Sequence, residues 1–161
     1  MKSLVVYYSM SGNCEMVAEK IKELAGADVL RIEPVKAFPD SGFRKFFWGG
    51  KSAVMGDTPE LNPYEFDASK YDTIIIGFPV WASRMAPPLK TFVSDNLSAL
   101  KEKRVASFAC QGGSGAEKAF SQLCGMLGRE ALDETLILND PKTRANTANY
   151  VKIQEFCDKL K

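Results

Sequence analysis

A chain of 161 residues has room for one domain, at a scale of roughly 150 residues each, and can bury a core without disulfides or a structural metal. Apolar residues make up 45% and charged residues 25%, which excludes the disordered and fibrous classes. Basic side chains number 21 against 20 acidic ones, so a net charge of +1 offers no field to gather nucleic acid, and the absence of histidine removes Ser-His-Asp and Cys-His catalysis, histidine zinc sites and histidine pH switches.

The apolar run Leu4 to Tyr8 predicts a strand buried on both faces. It is far shorter than a signal h-region or a membrane span, so no membrane association and a cytoplasmic location are expected. Val17, Ala18, Ile21, Leu24 and Ala25 recur at helical spacing and stop at Gly26. Val29 to Ile32 reads as a second strand and the β-branched run Thr73 to Gly77 as a third. Between them, residues 34–70 form an irregular insertion with Pro34, Pro39, Pro59 and Pro63 and one short candidate helix around Phe43 to Val54. Pro87 and Pro88 then open a helix carrying Leu89, Phe92 and Val93, proline being tolerated in a first turn. Val105 to Ala109 is a fourth strand, followed by a helix with Ala116, Ala119, Phe120, Leu123, Cys124 and Leu127 on one face. Thr135 to Leu138 is a fifth, and Ile153, Phe156, Cys157 and Leu160 close the chain on a helix. Such alternation predicts an α/β fold, a single domain over 1–161 built on a parallel sheet with helices on both faces.

The four cysteines, Cys14, Cys110, Cys124 and Cys157, form no C-x-x-C pair and no metal-ligand spacing, so no metal site is expected and the thiols read as reduced. Cys124 and Cys157 fall at apolar helix positions, as small buried hydrophobes do.

In an open parallel sheet, ligands bind beyond the carboxyl ends of the strands, where strand order reverses. Three loops there are unusual. Ser9-Met10-Ser11-Gly12-Asn13-Cys14 offers hydroxyls, an amide and the free N–H groups of a helix start, an anion site without lysine or arginine. It is neither G-x-x-x-x-G-K-[ST] nor G-x-G-x-x-G, and suits a monophosphate held permanently; a plain Ser/Asn helix cap fits the same residues. The stretch Gly77 to Pro88 contains Pro79-Val80-Trp81-Ala82, with the indole of Trp81 as a shelf for a planar ring or as a lid on the core. Cys110-Gln111-Gly112-Gly113-Ser114-Gly115 lets backbone groups approach a ligand edge closely. Taken jointly, they describe one ligand with a phosphate tail and a flat polar ring.

These motifs resemble the flavodoxin family. Ser9-x-Ser11-Gly12-Asn13 is similar to its phosphate loop, Gly77-Phe78-Pro79-Val80-Trp81 to its first flavin-ring loop, and Gln111-Gly112-Gly113-Ser114-Gly115 to its second. The resemblance runs from residue 1 to about 160, with 34–70 the poorly matched part, and has the character of the short-chain type. It implies a flavodoxin-like doubly wound five-stranded parallel sheet in order 2-1-3-4-5 and non-covalent FMN, with Ser9, Met10, Ser11, Gly12, Asn13, Cys14, Pro79, Val80, Trp81, Ala82, Cys110, Gln111, Gly112, Gly113 and Gly115 as cofactor-binding residues. Cys14 stands where the family's loop ends in threonine. A helix N-terminus favours its thiolate, a bound phosphate opposes it, and a structural thiol is the alternative.

Phe43 to Lys51 interleaves four aromatics with three basic residues. It reads as a flap over a flavin hinged at Gly49-Gly50, a contact between two copies of the chain, or an amphipathic helix on the sheet edge. Near-neutral charge separates the chain from the strongly acidic carriers of the family. The expected function is therefore an oxidoreductase passing electrons from NAD(P)H through FMN to a quinone or other small acceptor. A one-electron carrier serving redox-protein partners is the alternative, and a binding module that has lost its cofactor a third reading.

Overall fold

A computed structural model of the chain describes residues 1–38 and 58–161. Its first strand, β1 (Ser3–Tyr7), alternates between two cores: Leu4 and Val6 face one, Val5 and Tyr7 the other. Helix α1 (Asn13–Ala25) follows, buries Val17, Ala18 and Ile21, and leads into β2 (Asp28–Arg31). After a 3₁₀ turn at Ala68–Lys70 come β3 (Thr73–Trp81), the short β4 (Arg84–Met85), α2 (Pro87–Asp95) and α3 (Leu97–Lys101). The chain then runs through β5 (Arg104–Gln111), α4 (Ala116–Leu127), β6 (Thr135–Asn139) and α5 (Thr147–Lys159).

The strands lie in the order β2-β1-β3-β5-β6, all parallel, which is 2-1-3-4-5 among the five predicted strands. Val5 sits between Val29 on β2 and Ile75 on β3, and this near-continuous apolar layering is what a sheet covered on both faces requires. One face is covered by α1 and α5 through Ile21, Ile153 and Phe156, the other by α2 and α4 through Leu89, Phe92, Ala119 and Leu123. Each such large side chain, fully buried, contributes about 1.5–3 kcal/mol. Among the described residues no helix is long and apolar enough to cross a membrane.

Two expectations are corrected. The third strand does not end at Gly77: its pairing with β5 continues to Pro79 opposite Cys110, after which Val80 and Trp81 turn back on β4 as an antiparallel hairpin. Much of the stretch read as a ring-binding loop is therefore sheet, which holds Trp81 more rigidly than a loop would. Cys124 is half-buried, since it flanks the apolar stripe of α4, whereas Cys157 is buried as expected.

The described ends of the 34–70 insertion are tied down. Pro34 bridges Leu61, the Thr91 hydroxyl donates to the Pro59 carbonyl at 2.9 Å, and Tyr64 and Phe66 lie against Phe92. The candidate helix around 43–54 and the aromatic-basic segment 43–51 lie outside the described residues.

Candidate functional site

The order reverses between β1 and β3, so the crevice expected of such a sheet opens above the carboxyl ends of β1, β3 and β5. Three turns meet there.

The first joins β1 to α1. Gly12, at φ 94°, is the N-cap, and no side chain caps the helix, so neither Ser11 nor Asn13 acts as an ordinary cap. The first-turn N–H groups of α1 thus remain available to a ligand. Arg31 on β2 fixes the turn: its Nη2 donates to the Ser9 carbonyl at 3.0 Å, its Nη1 pairs with Glu15 at 2.8 Å, and its Nε pairs with Glu33. Ser9 is buried, and its hydroxyl has no partner among the described residues. The one other such hydroxyl, on Thr73, lies at the opposite end of the sheet. An unpaired buried hydroxyl costs about 1–3 kcal/mol, and a phosphate oxygen accepting its proton would remove that cost. Hydroxyl, uncapped N–H groups and dipole therefore fit a phosphate.

The second turn is the β3–β4 hairpin. Ala82 and Ser83 take φ 50° and 61°, both left-handed, in a two-residue turn where Asn-Gly is the usual choice. Neighbours hold this strained geometry in place: the Met85 N–H donates to Gln122 Oε1 at 2.9 Å, and Gly115 lies directly under Ser83. The Trp81 ring meets Tyr8 and Phe38 edge-on, at 5.9 and 5.1 Å between centroids, while also forming part of the crevice wall. It is both a partial lid on the core and part of the cleft wall.

The third turn follows β5. The Gln111 side chain is wholly engaged within it: Oε1 accepts from the Ala116 N–H at 2.9 Å, capping α4, and Nε2 donates to Asn139 Oδ1 at 2.9 Å and to the Gly113 carbonyl at 3.3 Å. What this residue offers a ligand is backbone. Cys14 and Cys110 are both free thiols and both buried. Burial, reinforced by Cys110, pushes the Cys14 thiol well above its ordinary range, so it stays protonated despite its place in the first turn of α1. Iodoacetamide at pH 8 is accordingly expected to leave Cys14 unmodified in the folded chain and to label it only in denaturant, as read by peptide mass spectrometry. Labelling at the rate of a free thiol would restore the thiolate reading.

The turns enclose a cleft of about 270 Å³. Ser11 and Asn13 line one end; Pro79, Val80, Trp81 and Ala82 form a wall; Cys110, Gln111 and Gly112 form the opposite edge. Ser9, Met10, Gly12 and Cys14 belong to the same first turn without lining the cleft, as do Gly113 and Gly115 in the third. Gly115 instead lets the hairpin approach α4. Asp140, at φ 40° after β6, also lines the cleft, and its N–H donates to the Gln111 carbonyl at 2.9 Å. Nothing local in the sequence marks it as a wall residue. Two larger surface hollows of about 520 Å³, beside Asn62 and beside Cys124, are remote from these strand ends.

A doubly wound parallel sheet with an anion-binding turn, an aromatic wall and a backbone edge at its switch point defines a class of ligand-binding α/β proteins. Within it, this chain belongs to the flavodoxin family, whose model matches residues 2–154. It is similar to a flavoprotein from Lactobacillus acidophilus crystallised in complex with FMN, at 26% identity over 88% of this chain and 94% of that one, with a TM-score of 0.68. A structure assigned as a flavoprotein from Bacteroides uniformis matches at 24% identity over 98% and 97% of the two chains, with a TM-score of 0.77. The two-electron reduced flavodoxin of Megasphaera elsdenii shares the fold at 18% identity over 98% of each chain, with a TM-score of 0.62.

Proposed function

We propose that this chain is an FMN-binding flavoprotein that takes electrons from NAD(P)H and passes them to a quinone or another small acceptor. The observation that carries the reading is the convergence of three turns, far apart in sequence, on one cleft, the first of those turns also holding an unpaired buried hydroxyl. The similarity to an FMN-bound flavoprotein supports the choice of cofactor. When bound, FMN supplies the redox chemistry; the protein binds and orients it. Ser9, Ser11 and the first turn of α1 would hold the phosphate, Trp81 and Val80 the ring face, and the Gln111-Gly112 backbone the ring edge. The chain has no histidine, and the roles left to it, binding and orienting the cofactor, require none. A charge of +1 supports a small acceptor over docking to redox proteins by charge steering.

Anaerobic mixing of the purified yellow protein with NADH and NADPH tests this. Bleaching of the flavin band by one nucleotide, and its return on adding a benzoquinone, is the expected result. Flavin that neither nucleotide reduces, but that a separate reductase protein does, would replace the enzyme by the carrier.

A further inference from the structure

We propose that Lys142, on the loop between β6 and α5, supplies the positive charge of the phosphate site and makes the cleft select a phosphorylated flavin over its unphosphorylated form. The proposal rests on the FMN reading. The phosphate turn contains no basic residue of its own, yet the fold brings one to it from the far end of the chain. The Lys142 N–H donates to Asn13 Oδ1 at 2.9 Å, a bond spanning 129 residues, which anchors the loop to the first residue of α1. The loop itself is well fixed, since the Thr143 and Arg144 N–H groups both donate to the Asp140 carbonyl, at 3.1 and 2.8 Å. From that anchor the lysine stem lies across Gly12: a Cβ placed there would stand 2.7 Å from Lys142 Nζ and 3.2 Å from its Cδ. The absence of a side chain at position 12 thus makes room for an ammonium group.

That placement is unfavourable as it stands. A cation beside a helix N-terminus faces the positive end of the dipole, where anions are stabilised and cations are not. Lys142 has no carboxylate or hydrogen-bond partner for its ammonium among the described residues, and Glu15, the acid in the first turn of α1, is engaged by Arg31. Two positive ends meeting across a glycine, in a turn that also carries the unpaired buried hydroxyl of Ser9, leave one electrostatic role unfilled: that of an anion between them. A phosphate would take the Ser9 and backbone N–H donors from one side and Lys142 from the other. Asn13 keeps its NH2 group available, because only its oxygen is used by the lysine N–H.

The test is fluorescence titration of the apoprotein with FMN and with riboflavin, for wild type, Lys142→Gln and Lys142→Arg, at low and high salt. Both variants retain the backbone N–H that holds Asn13, and thermal midpoints check that they fold. Lys142→Gln is expected to weaken FMN about tenfold at low salt and less at high salt, to leave riboflavin within about twofold, and to be restored by Lys142→Arg. Wild type that prefers FMN while Lys142→Gln binds it equally well would overturn the proposal and leave the FMN site standing, as would parallel loss of FMN and riboflavin. Wild type that binds neither flavin would overturn the FMN reading and the role of Lys142 with it.

Discussion

Replacing Ser9 by alanine is expected to make the cofactor-free protein more stable and the FMN-bound protein less so. The Ser9 hydroxyl is buried with no partner among the described residues, so the apoprotein carries its desolvation penalty. Removing that oxygen should return about 1 kcal/mol, or roughly 2–4 °C in melting temperature for a chain of this size. In the proposed site the same hydroxyl would donate to the phosphate of bound FMN. A hydrogen bond to a charged acceptor contributes about 1.5–3 kcal/mol, so the dissociation constant should rise roughly 10- to 150-fold. Because ligand stabilisation grows as the logarithm of concentration over dissociation constant, the melting order of wild type and Ser9→Ala should reverse between zero and saturating FMN. Thr73→Val supplies the control: it removes the other unpaired hydroxyl, at the opposite end of the sheet, and should stabilise the protein without touching FMN affinity. A Ser9→Ala protein that melts lower without FMN and binds it as tightly as wild type would place the phosphate elsewhere.

The parts of this architecture set by short-range pattern are legible in the sequence. The runs Leu4 to Tyr8 and Thr73 to Gly77 are apolar on both faces because helices cover both, and apolar spacing in α1, α2 and α4 gives the layer each one joins. The three candidate loops are visible because glycine, hydroxyl and tryptophan at strand ends have few other uses. What lies beyond local pattern is not legible. Ala82-Ser83 carries no turn signal, and its left-handed pair persists only because Gln122 and Gly115 press on the hairpin from α4. Gln111 looks like a ligand contact, yet its amide is used up in holding its own turn. Asp140 is held in the cleft wall by its bond to Gln111, and Lys142 is held over the first turn by its bond to Asn13; long-range pairings of that kind leave no periodicity behind.

Gly115→Ala is expected to be strongly destabilising and to disturb the cleft as well. Gly115 has φ 105°, a conformation that strains any residue with a Cβ by about 1–3 kcal/mol. Its new Cβ would also stand 2.8 Å from the Ser83 Cα and 2.8 Å from the Ser83 Oγ, closer than such atoms approach. Backbone cannot rotate away as a side chain does, so the hairpin must shift, and overpacking of this kind adds about 1–3 kcal/mol. The two effects together predict a loss of roughly 2–6 kcal/mol, or about 4–24 °C in melting temperature. Function should suffer alongside, because displacing Ser83 moves Ala82 and Trp81, which form the cleft wall. Holoprotein flavin fluorescence, which the indole is expected to quench in wild type, should then rise in Gly115→Ala even at saturating FMN. Ser83→Gly offers a way to separate the causes. It deletes the Oγ and Cβ that the alanine would strike, and relaxes the left-handed strain at position 83. The double variant should therefore recover part of the stability lost by Gly115→Ala, a coupling of about 1 kcal/mol or more in a double-mutant cycle. Strictly additive losses would mean that strain at Gly115 alone sets the cost, and that the hairpin is not held in shape by its contact with α4.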